Sequence, residues 1–228
     1  MIGQFDVETI GILSAATVFS MSAVSLVSSV RQNIKIKIKL SMWIALSSII
    51  GGAIGKLAFN FTVESIQNSE LVTLIQASIL AILRVVIFIF VKYKHRFKTY
   101  QLKNPLMIIW VGLALGVLAA FLGIGGGPFN VAILTLLFSM NSKEAGLNSI
   151  FIIFFSQISS LMYTASTTGF GAFDLVMLPY MIVGGVLGGL IGRKLVLKME
   201  ERTVDKIFLI GIIVIIGINL INIGKYFW

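Results

Sequence analysis

The chain has 228 residues, of which 57% are hydrophobic and only 12% are charged, and its formal net charge is +9. Soluble domains carry about 25% charged residues, so the composition excludes a soluble globular domain and indicates a polytopic membrane protein. The absence of cysteine excludes disulfides and thiolate metal sites, and the surplus of Lys and Arg is typical of membrane-protein loops rather than of nucleic-acid binding.

Apolar segments long enough to span a bilayer recur along the whole chain. In chain order the predicted segments are 9–30, 40–59, 71–91, 105–122 with 128–140, 145–167, 175–195 and 205–223. We therefore expect an all-α polytopic membrane protein with about seven membrane segments plus a glycine-broken helical hairpin.

The break lies at residues 122–130, which read Leu-Gly-Ile-Gly-Gly-Gly-Pro-Phe-Asn. Such a run cannot hold a helix, because each Gly costs about 1 kcal/mol relative to Ala in a helix interior. Within a bilayer, broken backbone persists only where it is buried in protein or lines a cavity. Pro128 suits the first position of the next helix. Residues 125–127 then lead into a helix N-terminus, whose free N–H groups and dipole favour an anion.

Basic and acidic residues separate into different connecting segments. Lys and Arg concentrate in 31–39, 92–104 and 193–206, whereas 60–70 and 168–174 carry only Glu and Asp as charged residues. Because cytoplasmic segments of membrane proteins collect Lys and Arg, all three basic segments are predicted to be cytoplasmic. The broken stretch must then enter and leave the membrane on the same side, as a helical hairpin hinged at the glycines.

Two sets of small residues, each followed by a cation, recur at a constant offset of 137 residues. They are Ser47, Gly51, Gly52, Gly55 and Lys56 in the first set, and Gly184, Gly188, Gly189, Gly192 and Arg193 in the second. Together with the hairpin topology, this offset predicts an inverted repeat, which is typical of secondary transporters. The rows of small residues also suit close helix packing, and we expect them to form joints between helices.

The offset divides the chain into a first repeat at 1–92, a basic cytoplasmic linker at 93–104 and a second repeat at 105–228 that contains the hairpin. An equivalent hairpin in the first repeat would map before Met1. The first repeat is therefore predicted to be incomplete at its N-terminal end, and whether Met1 is the true start stays open.

Polar side chains occupy two places in the predicted membrane region. Segment 145–167 carries a polar face that includes Asn148, Ser149 and Gln157, which either lines a pathway or forms interhelical hydrogen bonds. Arg84 is the charged residue well inside span 71–91. It either serves an anion pathway or extends to the interface near Lys92.

Residues 116–151 carry a family resemblance and read GVLAAFLGIGGGPFNVAILTLLFSMNSKEAGLNSIF. This run resembles the glycine-rich signature of the sulfite exporter TauE/SafE family of bacterial membrane permeases. It differs from the family pattern in lacking a first copy of the hairpin and in placing Pro128 directly after the glycines. The resemblance implies a permease for sulfite, sulfonates or related sulfur-containing anions.

The sequence thus predicts a secondary permease for small, sulfur-containing organic or inorganic anions in the cell membrane. The alternative is a non-transporting remnant or an accessory subunit of such a permease. The candidate substrate-binding residues are Gly123, Gly125, Gly126, Gly127, Phe129, Asn130, Asn148, Ser149 and Gln157. No catalytic residue, metal or cofactor is predicted, because the chain offers no nucleophile–base or metal-ligand set. The expected partners are a small anion and the lipid bilayer, with no nucleic acid, and homo-oligomers are possible.

Overall fold

The computed structural model describes residues 7–31, 37–122 and 127–226, and its regular structure in this part of the chain is helical. The helices are α1 (Val7–Arg31), α2 (Ile38–Ile66), α3 (Ser69–Tyr93), α4 (Pro105–Leu122), α5 (Gly127–Phe138), α6 (Ser142–Thr167), α7 (Leu178–Lys198) and α8 (Glu201–Tyr226). Short 3-10 turns follow α3 at Lys94–Arg96 and α6 at Phe170–Ala172.

Six of the described helices, α1 to α4, α6 and α7, are long and apolar enough to cross a membrane, and α5 is a shorter apolar helix. The predicted all-α polytopic membrane fold is confirmed. α8 is as long as its neighbours but begins with Glu201, Arg202, Asp205 and Lys206 within its first six positions. These charges keep its first turns outside an apolar layer.

The largest boundary difference is at the end of α2, which was predicted at 59 and lies at Ile66. The last turns carry Asn60, Thr62 and Glu64, so hydropathy marks only the part of the helix that suits the bilayer. At 29 residues and 1.5 Å per residue, α2 is about 43 Å long, longer than the bilayer core of about 30 Å.

α4 and α5 form the predicted hairpin. The backbone N–H of Tyr100, ahead of α4, donates to the carbonyl of Leu136 near the end of α5 at 2.7 Å, and that of Leu102 donates to Leu137 at 3.1 Å. The chain therefore enters α4 and leaves α5 at the same end of the molecule. The broken stretch is a helical hairpin, as the charge pattern required.

The described parts of the three basic segments meet at that same end. Lys94 pairs with Asp205 of α8, and Lys37 lies 3.9 Å from Glu144 at the start of α6. The ends of α3 and α5 and the starts of α2, α4, α6 and α8 thus share one face, which we call the basic face. This arrangement is the one that the charge pattern predicted, while its assignment to the cytoplasm remains a prediction.

The helix contacts follow the offset found in the sequence, which pairs α1 with α6, α2 with α7 and α3 with α8. α2 packs against α6, and α1 packs against α7. When each helix is replaced by its repeat counterpart, the first of these contacts becomes the second. α3 packs against α8, and α1 packs against α6. Each of these two contacts joins a helix to its own repeat counterpart. The division into a first repeat at 1–92 and a second at 105–228 stays a prediction that this pattern favours.

Candidate functional site

The hairpin is positioned by close packing of α4 on α2. A Cβ atom added at Gly116 would lie 2.8 Å from the Cα of Ser48, and one added at Gly51 would lie 3.0 Å from the Cα of Leu113. Small residues on both helices therefore let the two backbones touch, as in small-xxx-small membrane contacts. This contact fixes the position of α4 against α2.

The N-terminus of α5 is the part of the predicted anion site that the structure describes. α5 begins at Gly127, one residue before the predicted start. Pro128 is therefore the second residue of the helix and not the first. Proline is tolerated there because the first N–H groups of a helix have no partner within it. Gly123, Gly125 and Gly126, which the sequence proposes as ligand-binding residues, lie outside the described residues.

A cavity of about 240 Å³ adjoins the start of α5, between α1, α3, α4, α5 and α8. Its walls are mostly apolar, and its polar side chains are one hydroxyl and one guanidinium. The lining residues are Ser14, Leu80, Leu83, Arg84, Ile87, Leu118, Ala119, Leu122, Pro128, Phe129 and Ile215.

Arg84 is the cation of this cavity. Its Nη1 atom is buried and has no hydrogen-bond partner among the described residues, and no carboxylate lines the cavity with it. One guanidinium nitrogen therefore stays inside the protein instead of reaching the membrane surface. A buried charged donor without a partner is costly, and together with the dipole at the N-terminus of α5 it favours an anion in the cavity.

The opposite side of the α5 N-terminus faces α6. Ser149 donates a hydrogen bond to the carbonyl oxygen of Gly127 at 3.4 Å, and Ile153 lies against the same glycine. Asn130 is 1% exposed, yet its Oδ1 has no partner in the described part of the chain. The amide oxygen of Asn130 is thus a second buried polar atom without a hydrogen-bond partner among the described residues.

Asn148 has a different environment from Asn130. Its Oδ1 accepts a hydrogen bond from Ser41 of α2, and its Nδ2 donates to the carbonyl of Glu144 at 2.7 Å. The bond with Ser41 joins α6 to α2 and favours the packing interpretation that the sequence left open for this face. Gln157, further along α6, is also buried.

The predicted site residues therefore do not form one cluster. Phe129 lines the cavity, whereas Gly127, Asn130 and Ser149 lie between α5 and α6, and Asn148 contacts α2. The sequence interpretation did not include the cavity walls from α3 and α8, since their apolar side chains look no different from those that face lipid. Two sequence signals pointed to this cavity: the helix break before Phe129 and the charge of Arg84 within an apolar span.

Comparison with known proteins decides the family. The family model described as Sulfite exporter TauE/SafE matches residues 1–220, nearly the whole chain. This chain belongs to the sulfite exporter TauE/SafE family. The resemblance seen in the glycine-rich signature is thereby confirmed, and the chain is a multi-pass membrane protein of that family.

One curated relative illustrates the similarity. It is the Bacillus subtilis (strain 168) protein described as "Probable membrane transporter protein YunE", and it is 34% identical over 119 residues. The alignment covers 52% of this chain and 42% of the relative, so the matched part spans less than half of the relative's length. No solved structure gives a significant match.

Proposed function

We propose that this TauE/SafE family member transports a small anion across the cell membrane, and that the anion binds in the cavity beside Arg84. The observation that carries this proposal is the buried Nη1 of Arg84, which has no hydrogen-bond partner among the described residues, in a cavity that the first turn of α5 also lines. A charged residue inside a membrane protein marks a functional site by default. Membership of the family supports transport as the activity.

The proposed substrate is a sulfur-containing oxyanion, such as sulfite or a small sulfonate. Its oxygens accept charge-assisted hydrogen bonds from the Arg84 guanidinium, whose planar fork suits oxyanions. The backbone N–H groups at the start of α5 add further donors. The hydroxyl of Ser14, on the α1 side of the cavity, is a neutral group that can accept or donate without holding the anion too tightly.

We further propose that access alternates by movement of one half of the molecule against the other. Small-residue contacts suit such movement, because few side chains interlock across them. The basic face is assigned to the cytoplasm, since Lys and Arg collect on that side of membrane proteins. The cluster of Lys94, Asp205 and Ser142 on this face joins α3 to α8, two helices that line the cavity.

The test is anion flux in proteoliposomes that contain the purified protein. Labelled sulfite, sulfate and a short alkyl sulfonate are supplied outside, and uptake is compared with that of empty liposomes of the same lipids. Saturable uptake of sulfite or the sulfonate supports the proposal. Uptake equal to that of empty liposomes for all three anions would contradict it and favour the alternative of a non-transporting subunit.

A further inference from the structure

Lys56 of α2 is a second buried cation. It is 7% exposed, and among the described residues no carboxylate lies within 4 Å of its ammonium. Glu8, at the start of α1, acts on this charge only from beyond that distance. The ammonium lies 4.8 Å from the centre of the Phe59 ring. Such a cation–π contact stabilises the charge but accepts no conventional hydrogen bond, so the three N–H donors of the ammonium are not taken up by the described part of the chain.

Lys56 and Arg84 lie at different depths in the molecule. α2 begins and α3 ends on the basic face. Lys56 comes 18 residues after Ile38, the start of α2, and Arg84 comes nine residues before Tyr93, the end of α3. At 1.5 Å per residue, Lys56 is about 27 Å from the basic face along its helix and Arg84 about 14 Å. Lys56 is therefore close to the opposite end, and it does not line the cavity of Arg84.

The side of α2 that carries Lys56 packs against polar residues of α6. Lys56 follows Gly52 by one helical turn, and a Cβ added at Gly52 would lie 3.1 Å from the carbonyl oxygen of Ser156. Both helices begin on the basic face and so run parallel. One turn beyond Gly52 is thus level with one turn beyond Ser156, which is Ser160, because residues four apart share a helix face.

Ser156 gives a second, independent sign of an unfilled polar site. It is 1% exposed, and its Oγ has no hydrogen-bond partner among the described residues. Ser160 is also buried, at 8% exposed. A buried hydroxyl without a partner and a buried ammonium without a counter-ion are each costly. One small anion between α2 and α6 would satisfy both.

We propose that Lys56, with the hydroxyls of Ser156 and Ser160, forms a second anion site that takes a small oxyanion such as a sulfonate. The ammonium supplies charge-assisted hydrogen bonds, and the hydroxyls supply neutral donors. An anion bound here is near the end of the molecule opposite to the basic face, and it enters or leaves the Arg84 cavity by way of this site. That role in transport rests on the proposed function, whereas anion binding at Lys56 does not.

The natural absence of cysteine allows a test with thiol reagents of opposite charge. Ser156→Cys exchanges one small side chain for another, and the lost hydroxyl has no partner in the described part of the chain. In membranes, its reaction rates are measured with sulfonatoethyl methanethiosulfonate, itself a sulfonate anion, and with the trimethylammonium reagent of similar size. Each rate is divided by the rate of the same reagent with a free thiol in solution. We expect the anionic reagent to be favoured at least about tenfold, because a buried cation concentrates anions.

Variants of the two cations show which charge causes the preference. In the Ser156→Cys background, Lys56→Gln should abolish it, and Lys56→Arg should keep it because the charge is retained. Arg84→Gln in the same background should also keep it, so a failure of the Arg84 cavity as the transport site would not remove this result. Equal rates or no reaction in Ser156→Cys, a preference that survives Lys56→Gln, or one that is lost in Arg84→Gln would overturn the proposal.

Discussion

Nζ of Lys94 lies 2.5 Å from Oδ2 of Asp205 and joins the end of α3 to the first turns of α8. Asp205 also accepts a hydrogen bond from Ser142 of α6 at 2.5 Å, and Lys94 reaches the same hydroxyl at 3.1 Å. Both charged side chains are largely shielded from solvent. The pair therefore ties three helices together on the basic face, and two of them, α3 and α8, are among the helices that line the cavity.

Removal of one member of this cluster should destabilise the protein. In Lys94→Gln the carboxylate of Asp205 loses its charged partner while it remains shielded, which costs about 2 kcal/mol of unfolding free energy. Unfolding in mixed micelles with increasing SDS measures the change. The matched control is Lys37→Gln, because Lys37 and Glu144 lie 3.9 Å apart and are about half exposed. That change should cost less than about 1 kcal/mol, and equal losses in the two variants would show that the cluster has no special role.

The two glycine rows predict opposite responses to an added methyl group. Gly55→Ala places a Cβ against the backbone of Val117, and such overpacking costs about 2 kcal/mol of unfolding free energy. Gly192→Ala, at the repeat-related position, adds a Cβ in open space. Its effect should stay within about 1 kcal/mol, since Ala favours a helix over Gly. Unfolding of both variants as dilute detergent-solubilised protein tests the contact of α2 with α4, and a stable Gly55→Ala protein would contradict it.

Asn130 and Asn148 are equally buried but should respond differently to truncation. Asn148→Ala removes the bonds to Ser41 and to the carbonyl of Glu144, so it should lower the unfolding free energy by about 1–3 kcal/mol. Asn130→Ala removes an amide whose oxygen has no hydrogen-bond partner among the described residues, so it should cost less stability than Asn148→Ala. Unfolding of both variants in mixed micelles with increasing SDS measures the difference. An equal or larger loss in Asn130→Ala would contradict the different environments of the two side chains.

Single cysteines report the membrane side of each loop, because the natural chain has none. Because α4 and α5 form a hairpin, the cysteines of Lys103→Cys and Lys143→Cys should lie on the same side of the membrane. The cysteine of Asp174→Cys should lie on the opposite side. A membrane-impermeant maleimide applied to inside-out and right-side-out vesicles should label the first two together. Labelling of Lys103→Cys and Lys143→Cys from opposite sides would mean that the broken stretch crosses the membrane once.

The sequence predicted the helices and the hairpin because their signals are local. Glycines and a proline break a helix wherever they occur, and the charges of the connecting segments orient what lies between them. The end of α2 was predicted seven residues too early, at 59 instead of Ile66, because hydropathy reports the bilayer and not the helix. Small residues indicated where helices come into close contact. Only the packing shows that α4 covers these residues on α2, and that no described atom lies against Gly184, Gly188 and Gly192 on α7.

The candidate site was less accessible to sequence reasoning. Asn130 and Asn148 look alike in the sequence. Only the packing shows that Asn148 is bonded to α2, while the amide oxygen of Asn130 has no partner among the described residues. The cavity combines side chains from five helices, and most of them are Leu, Ile or Ala. Arg84 could be noticed in advance because a cation in an apolar span is unusual, but the sequence could not show that its Nη1 stays buried.

The most direct test of the account is the loss of anion uptake when the charge of Arg84 is removed. Uptake into proteoliposomes is measured for the natural protein, for Arg84→Gln, and for Arg96→Gln, whose exposed side chain lies beyond α3. A lost charge-assisted hydrogen bond predicts at least about a tenfold decrease for Arg84→Gln, with Arg96→Gln close to the natural protein. Uptake by folded Arg84→Gln at the natural rate would contradict the assignment of this cavity as the anion site.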